Sequence, residues 1–238
     1  MEDPLGKVFV VIPVFNGWQM THNLLWELYR KERENIELVL VMDNASTDPE
    51  VEQGLKWWKS EWKEKNEPMG VASITNVENI GFTKNSNKGL RFICEMGTVA
   101  PDDIVILLSN DVKVNGKFIS QIKTILEETP KSLVGGILYS NDTGWNKFGD
   151  KVFPYIEGWL LATTMENWVE LDYFDEIYAP HCMEDVDLST KALRLGYQLV
   201  PLNNPGLVHL AGQTIKYTDE RHERTKINQE KFRNKWTT

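Results

Sequence analysis

Two acidic corners in this sequence have the residue types that hold metals and phosphates. Asp111 ends the corner Ser109-Asn110-Asp111 after one apolar run, and Asp43 ends another apolar run. In open α/β sheets, ligands bind outside the carboxyl ends of the strands. A carboxylate at such an end could hold a divalent cation through oxygen, and the cation could hold a diphosphate. The alternative for Ser109, Asn110 and Asp111 is a plain turn, because these residue types are common in turns.

A third candidate segment, 79–90, carries glycines and asparagines ahead of an apolar helix that we expect at 90–94. A helix N-terminus offers free N–H groups to an anion. Asparagine side chains present both a donor and an acceptor, which suits a nucleobase or a sugar. The segment is therefore predicted to be a ligand-binding loop.

The elements that must position these segments alternate as strand and helix. Short apolar runs bounded by polar residues predict strands buried on both faces, and their alternation with amphipathic helices predicts a parallel sheet covered on both sides. Pro13 is expected to end the first strand, because proline cannot donate to a sheet ladder. Asp48 before Pro49 is expected to cap a helix. The predicted strands are 7–12, 36–42, 71–77, 105–108, 133–139, 157–163 and 197–200, and the predicted helices are 21–30, 51–65, 90–94, 118–128, 184–195 and 218–236.

The composition limits the class of protein. Of 238 residues, 41% are hydrophobic and 26% are charged, which is typical of a globular protein with one α/β domain. The net charge of −9 argues against a general nucleic-acid binder. Cys94 and Cys182 form no CxxC motif and predict reduced thiols. The acidic start, Met1-Glu2-Asp3-Pro4, lacks the first region of a signal peptide, and no apolar run is long enough to cross a bilayer, so we expect a cytoplasmic protein.

Five segments taken in order carry a resemblance to a known family. They are 13–16, 43–48, 79–87, 109–111 and 184–188, and His209 follows them. In this order, each at a strand end or a helix start, they resemble the family 2 glycosyltransferases of the GT-A fold, over roughly residues 7–212. The segments 43–47 and 79–82 are most similar to the bacterial and phage branch that includes rhamnosyl- and galactosyl-type transferases.

The resemblance implies the architecture and the reaction. The expected fold is a single Rossmann-like α/β domain with a mixed, mostly parallel central sheet flanked by helices. It would occupy residues 1–212, with a nucleotide-binding half to about 115 and an acceptor half from 116, and 213–238 would form a C-terminal helix. The implied reaction moves a sugar, with inversion, from a nucleoside diphosphate donor (UDP or dTDP favoured) to a hydroxyl of a glycan, lipid-linked or protein-linked acceptor.

Individual roles follow from matching the motifs. Asp185 matches the second position of the family's Glu-Asp pair and is the expected general base, with Glu184 orienting the acceptor, although the two roles could be exchanged. Asp111 and His209 are the expected ligands of Mn2+ or Mg2+, and Gly158 and Trp159 are expected on the acceptor side. The implied nucleotide-binding residues are Pro13, Val14, Phe15, Asn16, Asp43, Asn44, Asn79, Gly81, Phe82, Asn87, Ser109 and Asn110.

One departure from the family pattern leaves alternatives open. The metal motif is commonly Asp-x-Asp, and here Ser109 occupies its first position, which favours a catalytically degenerate nucleotide- or sugar-binding module as the second hypothesis. A sugar nucleotidyltransferase is disfavoured because the loop 13–17 has no Lys or Arg, and a dehydrogenase because no GxGxxG follows the first strand. Trp145 is expected in a mobile lid over the donor.

The C-terminal helix, 218–236, mixes basic and acidic residues and is expected to be a solvated helix that packs through Ile227 and Phe232. Peripheral membrane contact is its alternative. The oligomeric state is left open by the sequence.

Overall fold

A seven-stranded sheet lies at the centre of the computed structural model, which describes residues 6–65, 67–203, 206–211 and 218–237, with the side chains of all but 61–65. The strands are β1 (Val8–Val14), β2 (Leu38–Asp43), β3 (Gly70–Thr75), β4 (Ile104–Leu108), β5 (Val112–Val114), β6 (Ser132–Gly135), β7 (Leu138–Tyr139), β8 (Lys147–Phe148), β9 (Lys151–Val152), β10 (Tyr155–Ile156), β11 (Leu160–Thr164), β12 (Gln198–Pro201) and β13 (Leu207–His209). The helices are α1 (Trp18–Glu32), α2 (Pro49–Lys65), α3 (Gly81–Cys94), α4 (Ile119–Glu128), α5 (Met165–Glu170), α6 (Glu184–Arg194) and α7 (Asp219–Trp236).

The strand order of the sheet is β12-β6-β11-β4-β1-β2-β3. Strand β11 runs antiparallel to both of its neighbours, and the other pairs are parallel. The short strands β5 and β13 pair with each other beside the sheet. The predicted mixed, mostly parallel sheet with flanking helices in one domain is confirmed.

Both faces of the sheet are covered, so alternate residues of one strand enter different cores. Val10 and Ile12 pack on the face that carries α1, α2 and α4, whereas Phe9 and Val11 pack on the face that carries α3, α5 and α6. All four are at most 3% exposed. Full burial of one such side chain contributes roughly 1.5–3 kcal/mol to the stability of the fold. A strand buried on both faces therefore favours apolar residues at every position, and this is why apolar runs predicted these strands.

Pro13 lies inside β1, so the expectation that it ends the strand is wrong. It stands opposite Met42 in the parallel pairing with β2. Val14 O accepts the N–H of Asn44 on the β2 side, at 2.8 Å. Backbone groups of successive strand residues point to opposite sides, so Pro13 faces the β4 side. There the pairing ends at Val11, and the missing N–H interrupts no ladder.

Helix α3 begins at Gly81, so the loop predicted over 79–90 is mostly helical. Its polar residues are buried where the helix crosses the sheet: Asn85 donates to Met42 O at 2.8 Å, and a Cβ on Gly89 would lie 2.6 Å from Met42 Cγ. The amide of Asn87 is used in the same way. It donates to Phe174 O at 2.8 Å and accepts the N–H of Phe174 at 3.0 Å.

Helix α7 is docked against the domain by its own side chains. Thr218 Oγ1 accepts the N–H of Arg221 at 3.2 Å and caps the helix. Phe232 is fully buried, with its ring stacked on Phe148 at 4.9 Å between centroids. The expected packing of Ile227 is wrong, because this side chain is 49% exposed and the docked face carries Asn228 and Phe232 instead.

A buried carboxylate ties the far end of α7 to α6. Asp187 Oδ1 accepts from Trp236 Nε1 at 2.6 Å and from the hydroxyl of Tyr178 at 2.9 Å, and Asp187 Oδ2 accepts from Lys235 Nζ at 2.9 Å. The boundary expected between residues 212 and 213 lies outside the described residues. Over the part of the chain that is described, every helix is too short or too polar to span a bilayer.

Candidate active site

A cavity of about 630 Å³ opens at the carboxyl end of β1. The nucleotide was expected here, and we name this space the nucleotide cavity for that expectation alone. Phe15, from the loop after β1, and Phe82, from the start of α3, supply its aromatic surface. The other lining residues are Pro13, Val14, Asn16, Gly17, Met20, Asn44, Asn79, Gly81, Asn85, Pro180, His181, Thr218, Glu220, Arg221 and Arg224. Eight of the twelve predicted nucleotide-binding residues, Asn16 among them, therefore line one cavity.

The polar residues around this cavity hold its loops in shape. Asn16 Oδ1 accepts the N–H of Thr47 at 2.8 Å, and Ser46 Oγ accepts the N–H of Asn16 at 2.7 Å. Asp43 is 4% exposed, and its Oδ1 accepts the N–H of Ser46 at 3.0 Å. Hydrogen bonds thus join the loops after β1 and β2 to each other.

The turn before α3 is fixed in the same manner. Asn44 Nδ2 donates to Asn79 Oδ1 at 2.7 Å, and Asn44 Oδ1 accepts the N–H of Ile80 at 3.0 Å. Gly81 has a φ of +82°, and a Cβ there would lie 2.5 Å from Pro180 Cβ. Only glycine fits both that conformation and that approach. Pro180 belongs to the segment that leads into the carboxylate pair, so this contact holds the turn before α3 against that segment.

Glu184 and Asp185 lie at the start of α6, after two residues in the left-handed conformation, Cys182 and Met183. Asp185 Oδ2 accepts the N–H of Gly158 at 3.1 Å, and Asp185 Oδ1 accepts the N–H of Val186 at 2.9 Å. Glu184 Oε2 is buried without a hydrogen-bond partner among the described residues.

Burial dominates the electrostatics of this pair. It raises the pKa of Glu184, and the negative charge of Asp185 raises it further, while Arg221 opposes both. Burial also raises the pKa of Asp185, where the N–H groups of Gly158 and Val186 favour the ionised form and limit the rise. Glu184 therefore holds its proton to a higher pH than Asp185 does.

A second cavity, of about 580 Å³, exposes the carboxylate pair. Tyr139 and Tyr155 stack on each other at 5.1 Å along its wall, and Trp145 stands at the rim with 42% of its surface exposed. The loop of Trp145 touches α7, since Gln229 Nε2 donates to Trp145 O at 3.3 Å. Trp145 was expected over the donor, but it lines the carboxylate cavity.

Asp111 and His209, the two expected metal ligands, lie beside each other. The pairing of β5 with β13 sets His209 opposite Val112, and Asp111 Oδ1 lies 3.4 Å from His209 Nε2. A carboxylate oxygen and an imidazole nitrogen facing each other fit a divalent ion that takes its remaining ligands from a diphosphate and water. Among the described residues, no group of three His, Cys, Asp or Glu side chains could hold an ion alone.

Trp159 supports His209 and does not line the carboxylate cavity. Its ring is stacked on the imidazole at 5.3 Å and 18°, and its Nε1 donates to Glu157 Oε2 at 3.2 Å. It lines a neighbouring cavity that shares Tyr139 and Glu157 with the carboxylate cavity. Gly158 acts through its backbone N–H on Asp185.

Four of the predicted nucleotide-binding residues, Asp43, Asn87, Ser109 and Asn110, do not line the cavity. Asn110 is 2% exposed and donates to Thr21 Oγ1 at 3.1 Å, so its amide holds α1 against the corner after β4. Asn87 is fully buried, with its amide committed to Phe174. Ser109 is half-buried, and its backbone N–H donates to Trp159 O at 2.8 Å.

The start of α7 lines both cavities, which the sequence analysis missed. Thr218 and Arg221 face the nucleotide cavity and the carboxylate cavity alike, and His181 joins them at the boundary. Arg224 lines the nucleotide cavity alone. The spacing of Arg221 and Arg224, three residues apart, was the available signal, because it places them side by side on a helix.

The sequence profile of glycosyl transferase family 2 matches residues 9–183. The chain belongs to this family. The match runs from the first strand to the residue before the carboxylate pair, so it covers the cavity-lining residues from Pro13 to His181 and the Asp111 corner, but not those at the start of α7. An uncharacterized glycosyltransferase of Rickettsia bellii (strain RML369-C) is 26% identical over 159 residues, which are 63% of this chain and 21% of that protein.

Solved structures share the fold of this family 2 chain. GalNAc-T7 with UDP, GalNAc and Mn2+ has a TM-score of 0.65 at 14% identity, over 83% of this chain and 42% of that one. The mannosyltransferase PcManGT from Pyrobaculum calidifontis, in complex with GDP-Man and Mn2+, has a TM-score of 0.59 at 20% identity, over 84% of this chain and 56% of that one. The chain thus spans about half of each of these relatives.

Proposed function

We propose that this chain is an inverting glycosyltransferase that moves a sugar from a nucleoside diphosphate to an acceptor hydroxyl. The observation that carries the proposal is the junction of the two cavities. One is lined by the family's nucleotide motifs, the other by the buried Glu184 and the half-buried Asp185, and His181, Thr218 and Arg221 line both. A donor whose base occupies the first cavity would present its sugar toward the second.

Asp185 is the proposed general base. The acceptor oxygen bonds to the anomeric carbon opposite the diphosphate, the bond from that carbon to the diphosphate oxygen breaks, and the hydroxyl proton passes to Asp185. Two backbone N–H groups fix the orientation of this carboxylate, and its pKa is raised less than that of Glu184. A base with a pKa lifted toward neutral pH is better matched to removing a hydroxyl proton.

Glu184 is proposed to orient the acceptor. A carboxyl group that keeps its proton can donate one hydrogen bond and accept others, which suits a sugar hydroxyl. Asp111 and His209 would hold Mn2+ or Mg2+, which offsets negative charge on a leaving diphosphate. Complexes of the structural relatives contain Mn2+, which supports the presence of a metal without choosing between the two ions.

The proposed acceptor is a glycan, free or linked to a lipid or a protein. Tyr139, Tyr155 and Trp145 offer aromatic surface to the apolar face of a sugar ring, and Glu157 lies beside them to bind hydroxyls.

UDP or dTDP is the proposed nucleotide carrier of the donor sugar. The relatives are complexes with GDP-Man and with UDP, so their fold does not decide the base. Cys94 and Cys182 are unpaired, which fits a reducing, cytoplasmic setting.

A thermal-shift panel tests the proposal. UDP, dTDP, GDP and CDP are each added with and without Mn2+. A ligand that binds the folded state at a hundredfold excess over its Kd stabilises by about 2.7 kcal/mol. One nucleotide should raise the melting temperature, and more strongly with the metal. A panel with no shift under any condition would refute donor binding and favour a degenerate module that binds a sugar without a nucleotide, for which Ser109 in the metal motif is the supporting feature.

A further inference from the structure

Two arginine side chains stand near the place where the two cavities meet. Arg221 lines both cavities, and Arg224, one turn further along α7, lines the nucleotide cavity. Their positive charges act on His181, which lines both cavities. Burial lowers the pKa of His181, and Arg221 and Arg224 lower it further. Burial also raises the pKa of the Cys182 thiol, which Arg221 opposes. Both guanidinium groups are therefore close to the junction.

The rest of the junction is unfavourable to an anion. Glu157, Asp185 and Asp219 line the carboxylate cavity, and Glu220 lines the nucleotide cavity. Like charges repel strongly where water is partly excluded. A diphosphate that spans the two cavities would approach these carboxylates, and the predicted metal ligands offer one carboxylate, Asp111, because Ser109 replaces the other.

The geometry points to a cation pair that binds the diphosphate directly. We propose that Arg221 and Arg224 hold the two phosphates of the donor at the cavity junction. They would offset part of the negative charge of the diphosphate, and a metal held at the Asp111 corner would offset the rest. This inference rests on the proposed function and names residues that act on its leaving group. Guanidinium groups suit the task because their planar N–H pairs match phosphate oxygens.

Helix α7 is held firmly enough to present these side chains. Asn228 Nδ2 lies 2.8–3.0 Å from the carbonyl oxygens of Tyr178, His181 and Cys182, and thereby ties α7 to the segment that precedes the carboxylate pair. Phe232 is buried in the domain. The arginines therefore stand on a fixed element, and little ordering is needed when a diphosphate binds.

The test is calorimetric titration in EDTA, so that no metal contributes. UDP and uridine are titrated into wild type and into Arg221→Gln, Arg224→Gln and Arg221→Lys. If the thermal-shift panel selects another base, the diphosphate and the nucleoside of that base are used in their place. Hydrogen bonds to a charged group are worth about 1.5–3 kcal/mol, which corresponds to roughly 10- to 100-fold in Kd. Each Gln variant should bind the diphosphate weaker by that factor and the nucleoside unchanged. Arg221→Lys should lose less, because it keeps the charge.

Arg233→Gln is the matched control, because Arg233 lies on the same helix in an exposed ion pair with Glu230. It should bind both ligands as wild type does. Equal affinity of wild type for UDP and uridine in EDTA would overturn the inference while leaving metal-dependent donor binding intact. Unchanged diphosphate affinity in Arg221→Gln, or an equal loss of both ligands, would overturn it as well. Failure of wild type to bind any nucleotide with Mn2+ would instead refute the proposed function, and this inference with it.

Discussion

Replacing Glu184 with Gln should stabilise the protein at neutral pH and not at acidic pH. The raised pKa of Glu184, caused first by burial and then by the charge of Asp185, means that the folded state holds the proton more tightly than the unfolded state. The ionic contribution of this group to stability is then greatest at low pH. This contribution is lost as the pH rises above the pKa of the carboxyl in the unfolded state, about 4.3, toward its raised pKa in the folded state. Gln mimics the protonated form and does not titrate.

The size of the effect follows from proton linkage. While the unfolded carboxyl is ionised and the folded one is not, each pH unit removes about 1.4 kcal/mol from the free energy of unfolding. Between pH 5 and pH 7 the difference between Glu184→Gln and wild type should therefore grow by up to about 3 kcal/mol. The buried oxygen Glu184 Oε2 has no partner among the described residues, so the substitution removes no bond to that atom.

Urea unfolding followed by tryptophan fluorescence measures this difference at pH 5, 6 and 7. The exposed carboxyl of Glu223, which pairs with Lys226 on the surface of α7, provides the control, and Glu223→Gln should run parallel to wild type. A difference that stays constant with pH would mean that Glu184 ionises alike in both states. The assignment of Asp185 as the base would then lose its electrostatic support, and Glu184 would become the candidate.

Three further predictions concern the site and its support. Asp185→Asn should keep nucleotide binding and lose transfer by roughly 10²–10⁴-fold, the usual contribution of a general base, and transfer at the wild-type rate would contradict the assignment. Trp145→Ala should raise the acceptor KM about tenfold with the donor KM unchanged, because it removes aromatic surface from the rim of the carboxylate cavity; a donor KM that rises instead would restore the lid interpretation. Asn228→Ala should lower the melting temperature by roughly 2–10 °C, since carbonyls bonded to it lose a buried partner worth about 1–3 kcal/mol, and a melting temperature equal to that of wild type would show that Asn228 does not hold this segment.

The sheet and the acidic corners were predictable because local signals set them. Runs such as 104–108 are apolar throughout, and a strand buried on both faces needs that composition. Asp111 lies in the corner after β4, as its apolar run indicated, and the antiparallel pairing of β5 with β13 brings His209 beside it. The cap at Asp48 was equally local: its Oδ1 accepts the N–H of Glu50 at 3.0 Å.

The roles of the asparagines could not be predicted, because the same side chain serves a ligand or a neighbouring backbone. Asn87 and Asn110 turn inward to groups 87 and 89 positions away in the chain, and no local pattern encodes such partners. The contribution of α7 was missed for a related reason. Its docking depends on Asp187 and on backbone carbonyls around Tyr178, which lie about fifty positions earlier.

Helix α7 separates two kinds of position along its length, and this separation has an evolutionary consequence. Thr218, Arg221 and Arg224 face the cavities, whereas Asn228 and Phe232 fasten the helix to the domain. Mutations at the first set can change which donor is accepted while the fastening residues keep the helix in place. Natural drift, or a laboratory library confined to the codons of Arg221 and Arg224, can therefore explore new substrates at little cost to folding, whereas a change at Thr218 would also remove the cap of the helix.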